Sequence, residues 1–388
     1  MEEKRKVQFN PLFFQASLAA GGLALMPFNF LQFGVPHGSG LIVFSDIVWS
    51  QLSTLHVLLY GMLIAVMFIS ITAHVILTAI FVKQLVGWII ERKAMYELLK
   101  DPYKNVTIFP IIGSLSMSAN VFWAPVGFFV PTISNRLQSL MLPSLIFFAI
   151  LWIMAMSLQF KVIRSWISNT IDFKKYNFVW LLDVFAFGLV NLTGSGIAAT
   201  SNNETISAVA ATATVVTIVF GLGLLVFKLL RLIITQVKAR KLPDFPILPA
   251  FFIIVPITCL YGLSAFRLVS YYSEIFGLNI QGSQPVIINL GYAIAAFWLI
   301  STVYLIRNYL IYHFMKTDYS ATQWGMVCAL VGSQVLGVYV QGLYMQSNIL
   351  KVFNYISIVM ALLIYVIIII KFMRSIGVLL LKQKPESF

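Results

Sequence analysis

The sequence predicts an all-α polytopic membrane protein in which ten transmembrane helices form five helical hairpins around a central pore. Hydrophobic residues make up 60% of the 388 residues, and charged residues only 10%. Soluble globular chains are about half hydrophobic and a quarter charged. A soluble fold of this length could not bury the additional apolar surface, whereas a lipid bilayer can surround it. Apolar stretches of about 20 residues, enough to cross a bilayer, recur ten times. They cover approximately residues 11–33, 54–82, 107–131, 138–160, 177–200, 206–234, 246–270, 285–312, 320–343 and 350–376.

These spans form one transmembrane domain, residues 11–376, between two short tails. The N-terminal tail is residues 1–10 and the C-terminal tail is residues 377–388. The first ten residues are polar and basic, and the apolar run after them lacks a small-residue cleavage site. We therefore expect the first span to stay in the membrane as an anchor.

The basic residues indicate the orientation of the chain. All but three of the 26 Lys and Arg residues fall at the termini, in the loops after even-numbered spans or in the last third of those spans, the exceptions being Arg136, Arg267 and Lys351. An excess of Lys and Arg in short loops marks the cytoplasmic side. We therefore expect a multi-pass protein of the plasma membrane with both termini cytoplasmic. Because this asymmetry explains the net charge of +13, nucleic-acid binding is not expected.

Odd- and even-numbered spans differ in their prolines. Spans one, three and seven carry prolines that include Pro11, Pro27, Pro110, Pro125, Pro249 and Pro256, whereas even spans carry only Pro143 and Pro285. A proline kinks a helix and frees a carbonyl, which protein or cavity water must then satisfy. This favours odd helices inside, lining a path, and even helices outside. The alternative is that proline is simply common in membrane helices.

Span five carries the only acidic residue deep in the membrane, Asp183. Phe187, Asn191 and Ser195 follow it on the same helical face. Because a carboxylate in the bilayer needs a partner or a water-filled cavity, we expect this face to point into the pore. Asp183 either takes up protons and couples them to substrate movement or forms a helix–helix hydrogen bond, and both readings stay open. No buried Arg or Lys is expected in the spans.

Other candidate pore-lining residues are small or neutral: Gly22, Ser114, Ser118, Pro256 and Gln334. Hydroxyl groups, glycines and kinked backbone would suit a small, partly hydrated anion because they do not trap it. The same residues also serve as ordinary contacts between membrane helices.

Arg267 is the one basic residue near the outer end of a proposed lining helix. A cation there would raise the local concentration of anions at the outer mouth. The alternative is an interfacial anchor. His74, the only histidine well inside a span, fits a packing role better than a proton relay.

Enzymatic chemistry has little support. Cys259 and Cys328 lie inside apolar segments, and no His, Cys or carboxylate set has the spacing of a metal site. We expect no catalytic residues, no cofactor and no metal.

Three segments carry a family resemblance: Phe14–Pro27, Glu97–Pro110 and Leu248–Pro256. They resemble the tellurite-resistance/dicarboxylate transporter family, which includes bacterial tellurite-resistance channels, fungal malate and sulfite transporters and plant slow anion channels. The resemblance implies anion transport through a central pore and commonly a homotrimer in the bilayer, with one pore per subunit. In this family a phenylalanine of the ninth helix closes the pore, and the matching run here places Cys328 at that gate position.

The expected function is therefore transport of small anions, such as a C4-dicarboxylate or sulfite, with possible proton linkage through Asp183. A passive gated anion channel is the first alternative. A membrane-embedded enzyme or assembly subunit without a permeant is the second.

Overall fold

The computed structural model describes residues 9–345 and 347–377, so most of both predicted tails lies outside the described residues. Within this part of the chain, ten helices are long and apolar enough to cross a membrane, and no β-strand occurs. The helices are α1 (Pro11–Gly34), α2 (Thr54–Glu91), α3 (Asn105–Phe129), α4 (Leu137–Ser168), α5 (Phe178–Thr200), α6 (Glu204–Ala239), α7 (Phe245–Phe276), α8 (Gln281–Leu305), α9 (Ala321–Leu343) and α10 (Asn348–Ser375). The predicted all-α class with ten spans is confirmed.

The odd helices form an inner ring and the even helices an outer one. Between 61% and 94% of the most apolar stretch of each odd helix is buried, against 22% to 33% for the even helices. α1, α3, α5, α7 and α9 pack side by side in that order, and α9 returns to α1 to close the ring. Each even helix packs on the odd helix before it. Because their outward faces are apolar and uncovered, the even helices require lipid around them.

The bundle has two faces, a basic face and a far face. The basic face is the one at which the odd helices begin, and it carries the connecting segments of residues 92–104, 169–177, 240–244 and 306–320. The first of these contains a short helix, Lys93–Lys100. The far face is the one at which the odd helices end. Arg136, Arg267 and Lys351 lie towards the far face.

Several helices end at residues other than those at which the predicted apolar spans end. α2 continues to Glu91 and α6 to Ala239, and each stops where an arginine, Arg92 or Arg240, adopts a φ of 52°. Apolar runs mark only the hydrocarbon layer, whereas backbone hydrogen bonds extend a helix until a residue leaves the helical region. α8 is interrupted after Leu305, and a π-helical turn, Tyr309–His313, follows. The ammonium group of Lys371 donates to the carbonyls of Phe314 and Thr317 just beyond that turn.

Prolines create irregular backbone inside two odd helices. α7 begins as a 3-10 helix, Phe245–Ile253, and α3 contains a π-helical turn, Phe122–Val126, around Pro125. The indole N–H of Trp298 on α8 donates to the Phe251 carbonyl at 2.8 Å. A neighbouring helix thus supplies a hydrogen bond where the α-helical ladder is incomplete.

Candidate functional site

A cavity of about 250 Å³ lies inside the ring, towards the far face. Every odd helix lines it, for example through Gly22 of α1, Asn120 of α3, Leu192 of α5, Cys259 of α7 and Val335 of α9. Outside the odd helices, the described side chains that line this cavity are Leu41, in the loop after α1, and Leu137 and Met141, in the first turns of α4. We call this space the far cavity.

A second cavity, of about 70 Å³, lies towards the basic face. It is lined near the beginnings of four odd helices, by residues that include Gln15 of α1, Leu182 of α5, Ile253 of α7 and Trp324 of α9. We call it the basic-side cavity. The two cavities lie one behind the other between the same helices.

Four side chains line both cavities and therefore stand between them: Leu18, Phe185, Pro256 and Cys328. They come from α1, α5, α7 and α9, and we call this group the constriction. α7 and α9 approach closely here, because a Cβ on Gly332 would lie 3.0 Å from the Cα of Pro256. Apolar constrictions of this kind close a path by excluding water.

Phe185 supplies the only aromatic ring of the constriction. Its side chain is only 7% exposed although it borders both cavities. The family resemblance places Cys328 at the gate position, and Cys328 does lie in the constriction. However, its thiol is small, and the bulky group comes from α5. Sequence reasoning missed Phe185, although it lies two residues from Asp183.

Arg267 is the only charged residue that lines either cavity in the described part of the chain. One guanidinium nitrogen donates to the Leu192 carbonyl at 3.1 Å, and no described carboxylate lies within ion-pair distance. The guanidinium lies beside Gly196, where a Cβ would be in ordinary contact with it at 3.4 Å. The cavity therefore has a positive potential that no described acid offsets.

Asp183 lies off both cavities and forms an ion pair. Its carboxylate accepts from the ammonium group of Lys228 on α6 at 2.5 Å, and both side chains are fully buried. Lys228 also donates to the Trp180 carbonyl at 2.8 Å and lies over the rings of Trp166 and Trp180. The expectation that no basic residue is buried in the spans is therefore wrong. The signal was present, since Lys228 interrupts an apolar run.

The face of α5 that meets the cavities carries Phe185, Leu189, Leu192 and Gly196. The face predicted to do so is turned away from them. Phe187 packs between Phe109 and Phe220, with ring centroids 6.0 and 5.7 Å away. Asn191 is fully buried and lines neither cavity. The physical reason is the ion pair, which directs the Asp183 side of the helix towards α6.

Three further candidates lie in helix contacts outside the cavity linings. The hydroxyl groups of Ser114 and Ser17 are 2.6 Å apart, joining α3 to α1. Ser118 lies 2.9 Å from Nε2 of His74, whose Nδ1 is 2.7 Å from the Ser17 carbonyl. Gln334 donates to the Met26 carbonyl at 3.3 Å. His74 thus has a partner at each ring nitrogen, as a packing role requires.

The structure brings four of the predicted residues together around the far cavity: Gly22, Pro256, Cys328 and Arg267. Asp183, Phe187, Asn191, Ser114, Ser118 and Gln334 lie elsewhere. Within the described residues, no group of three or more His, Cys, Asp or Glu side chains is placed to hold a metal ion.

Comparison with models of protein families gives a match over nearly the whole chain. A family model described as "Voltage-dependent anion channel" matches residues 8–373, nearly the whole chain. No curated protein matches the sequence at a significant level.

Proposed function

Because the chain belongs to the voltage-dependent anion channel family, we propose that it carries small anions across the membrane along the axis of its odd-numbered helices. Proteins of this family are transporters or channels. The observation that carries the proposal is the pair of cavities inside the inner ring, which four side chains separate and which, among the described residues, one cation and no acid line. A permeant would cross the constriction between two spaces that already exist.

We infer that conduction is passive and that Phe185 is its gate. Rotation of the Phe185 ring would join the two cavities. The thiol of Cys328 is so small that its rotation would change the width of the constriction little. A path that opens at an apolar constriction needs no second ion.

Proton linkage through Asp183 is the competing mechanism. It requires the carboxylate to change its charge while the anion passes. The contact with Lys228 balances that charge, and the pair lies outside both cavity linings. These two observations favour the passive mechanism.

The lining also bears on which anion passes. A guanidinium binds one carboxylate or oxyanion in a bidentate manner. The second carboxylate of a C4-dicarboxylate would meet only neutral groups in the far cavity, among them Asn29 and Asn120. The lining therefore favours singly charged anions, including singly protonated forms of sulfite or malate.

We propose that the basic face is cytoplasmic in the plasma membrane, which places Arg267 at the outer mouth. The support is the excess of Lys and Arg on that face. A C-terminal epitope tag should bind antibody only after cells are permeabilised. Binding to intact cells would reverse the assignment.

The test of function is anion flux into liposomes that contain the purified protein, with chloride, nitrate and malate offered separately. We expect Phe185→Ala to raise flux severalfold above that of the unaltered protein. Leu189→Ala is the matched control, because Leu189 lies on the same helix and lines only the far cavity. If folded protein carries none of these anions, with or without Phe185→Ala, the proposal fails and a role as an assembly subunit comes first.

A further inference from the structure

The ion pair between α5 and α6 is a fixed point in the molecule. The Lys228 ammonium group is bound by the Asp183 carboxylate and the Trp180 carbonyl, and two indole rings cover it at 4.7 and 4.9 Å. The second oxygen of Asp183 accepts from the backbone N–H of Val184 at 2.7 Å. Neighbours on α4, α5 and α6 therefore surround both charges.

Asp183 and Phe185 lie on opposite sides of one helix. Two residues correspond to a rotation of about 200° in an α-helix with 3.6 residues per turn. When Asp183 points outward to α6, Phe185 must point inward to the constriction. The rotation of α5 about its axis thus sets both positions at once.

A second contact holds the same turn of α5 from the other side. The hydroxyl group of Tyr261 on α7 donates to the Val184 carbonyl at 3.2 Å. Tyr261 also lies against Gly221 of α6, where a Cβ would approach its hydroxyl oxygen to 2.0 Å. α5, α6 and α7 are therefore closely packed around residues 183–185.

Separating the pair would leave two unbalanced charges in an apolar surrounding, which is far more costly than keeping them together. Any rotation of α5 that carried Phe185 out of the constriction would have to separate them. The pair therefore opposes that rotation but leaves the ring of Phe185 free to turn about its own bonds.

We propose that Asp183 and Lys228 are positioning residues that keep Phe185 in the constriction by fixing the rotation of α5. This inference rests on the proposed anion conduction and extends it to residues that touch no permeant. It assigns the buried pair a role in closing the path, in addition to its contribution to folding.

The experiment compares passive anion flux per folded protein in liposomes for four variants. They are Lys228→Met, the double variant Asp183→Leu with Lys228→Met, Phe185→Ala, and Phe185→Ala combined with Lys228→Met. The double variant removes both charges, so it keeps the measurement possible if Lys228→Met alone does not fold. Lys371→Met is the matched control: this lysine also donates to backbone carbonyls near a helix end, but on α10 and away from both cavities.

We expect Lys228→Met and the double variant to raise flux severalfold, and Lys371→Met to leave it unchanged. In the Phe185→Ala background, Lys228→Met should add no further flux, because the group that it positions is absent. A purely structural pair would lower the melting temperature without raising flux, and that result overturns the inference. If Phe185→Ala raises flux but neither variant of the pair does, only the positioning role fails. If no variant conducts, the proposed function fails too.

Discussion

At the scale of single residues, the charged side chains of Arg267, Asp183 and Lys228 have two different environments. Arg267 is partly open to the far cavity and bonds a carbonyl, whereas Asp183 and Lys228 are sealed against each other. Arg267 can therefore attract an ion in solution through its electric field. Asp183 and Lys228 can affect conduction only by holding helices in position. Two predictions separate these effects.

Arg267→Gln should lower anion flux at low ionic strength and have little effect at high salt. The reason is screening: the field of a charge at an aqueous mouth extends only about 8 Å at physiological ionic strength and farther in dilute salt. Arg136→Gln is the control, because Arg136 is exposed on the same face and lines neither cavity. An effect of equal size at all salt concentrations would indicate an anchor or packing role for Arg267.

Asp183→Asn should destabilise the protein because it leaves the Lys228 charge buried without a carboxylate. Removing one member of a buried pair costs about 3–5 kcal/mol, more than the ~1 kcal/mol of an ordinary hydrogen bond between membrane helices. Thermal unfolding in detergent measures this loss. Flux under an imposed pH gradient measures the competing mechanism. Flux that depends on the gradient in the unaltered protein, and loses that dependence in folded Asp183→Asn, would return proton linkage to first place.

At the scale of elements, glycines set how closely α5 approaches the outer ring. A Cβ on Gly194 would lie 2.2 Å from the hydroxyl oxygen of Thr214 on α6 and 2.6 Å from the ring of Phe148 on α4. Both of these side chains are buried. α5 therefore packs into the groove between α4 and α6 only because this position lacks a side chain.

Gly194→Ala should lower stability by about 1–3 kcal/mol, as overpacking of a tight core does. Gly223→Ala on α6 is the matched control, since a Cβ there has no neighbour within 4 Å. Thermal unfolding of both variants in the same detergent measures the difference. Equal melting temperatures would contradict the close packing of α4, α5 and α6.

At the scale of the whole molecule, the path lies within one chain, because the five odd helices close a ring by themselves. The even helices keep large apolar side chains on the outside, such as Phe68 on α2 and Phe297 on α8. Lipid or further copies of the chain can cover these surfaces without altering the path.

We expect a homotrimer with one path per subunit, as the family resemblance implies. Light scattering of the detergent-solubilised protein, corrected for bound detergent, should give three times the mass of the chain. A monomer mass in several mild detergents would contradict this expectation. Flux per chain should be independent of assembly in either case, since each ring is complete.

The sequence by itself determined the ten spans, the hairpin order and the inner position of the odd helices. These properties follow from local quantities: the length of an apolar run against the bilayer thickness, and the placement of proline and small polar residues. Except between α1 and α2, the loops within the hairpins are short, which makes the two helices of each hairpin neighbours. Gly22, Pro256 and Arg267 could be chosen on this basis.

Only the tertiary structure decided which face of α5 meets the path. Because 94% of the most apolar stretch of α5 is buried, almost every face of the helix is covered by protein and no apolar stripe reveals its rotation. That rotation depends on Lys228, 45 residues away in the sequence, and on Tyr261 of α7. Contacts between residues distant in the sequence place Phe185 inside and Asp183 outside. The residue pattern of one helix does not reveal such contacts.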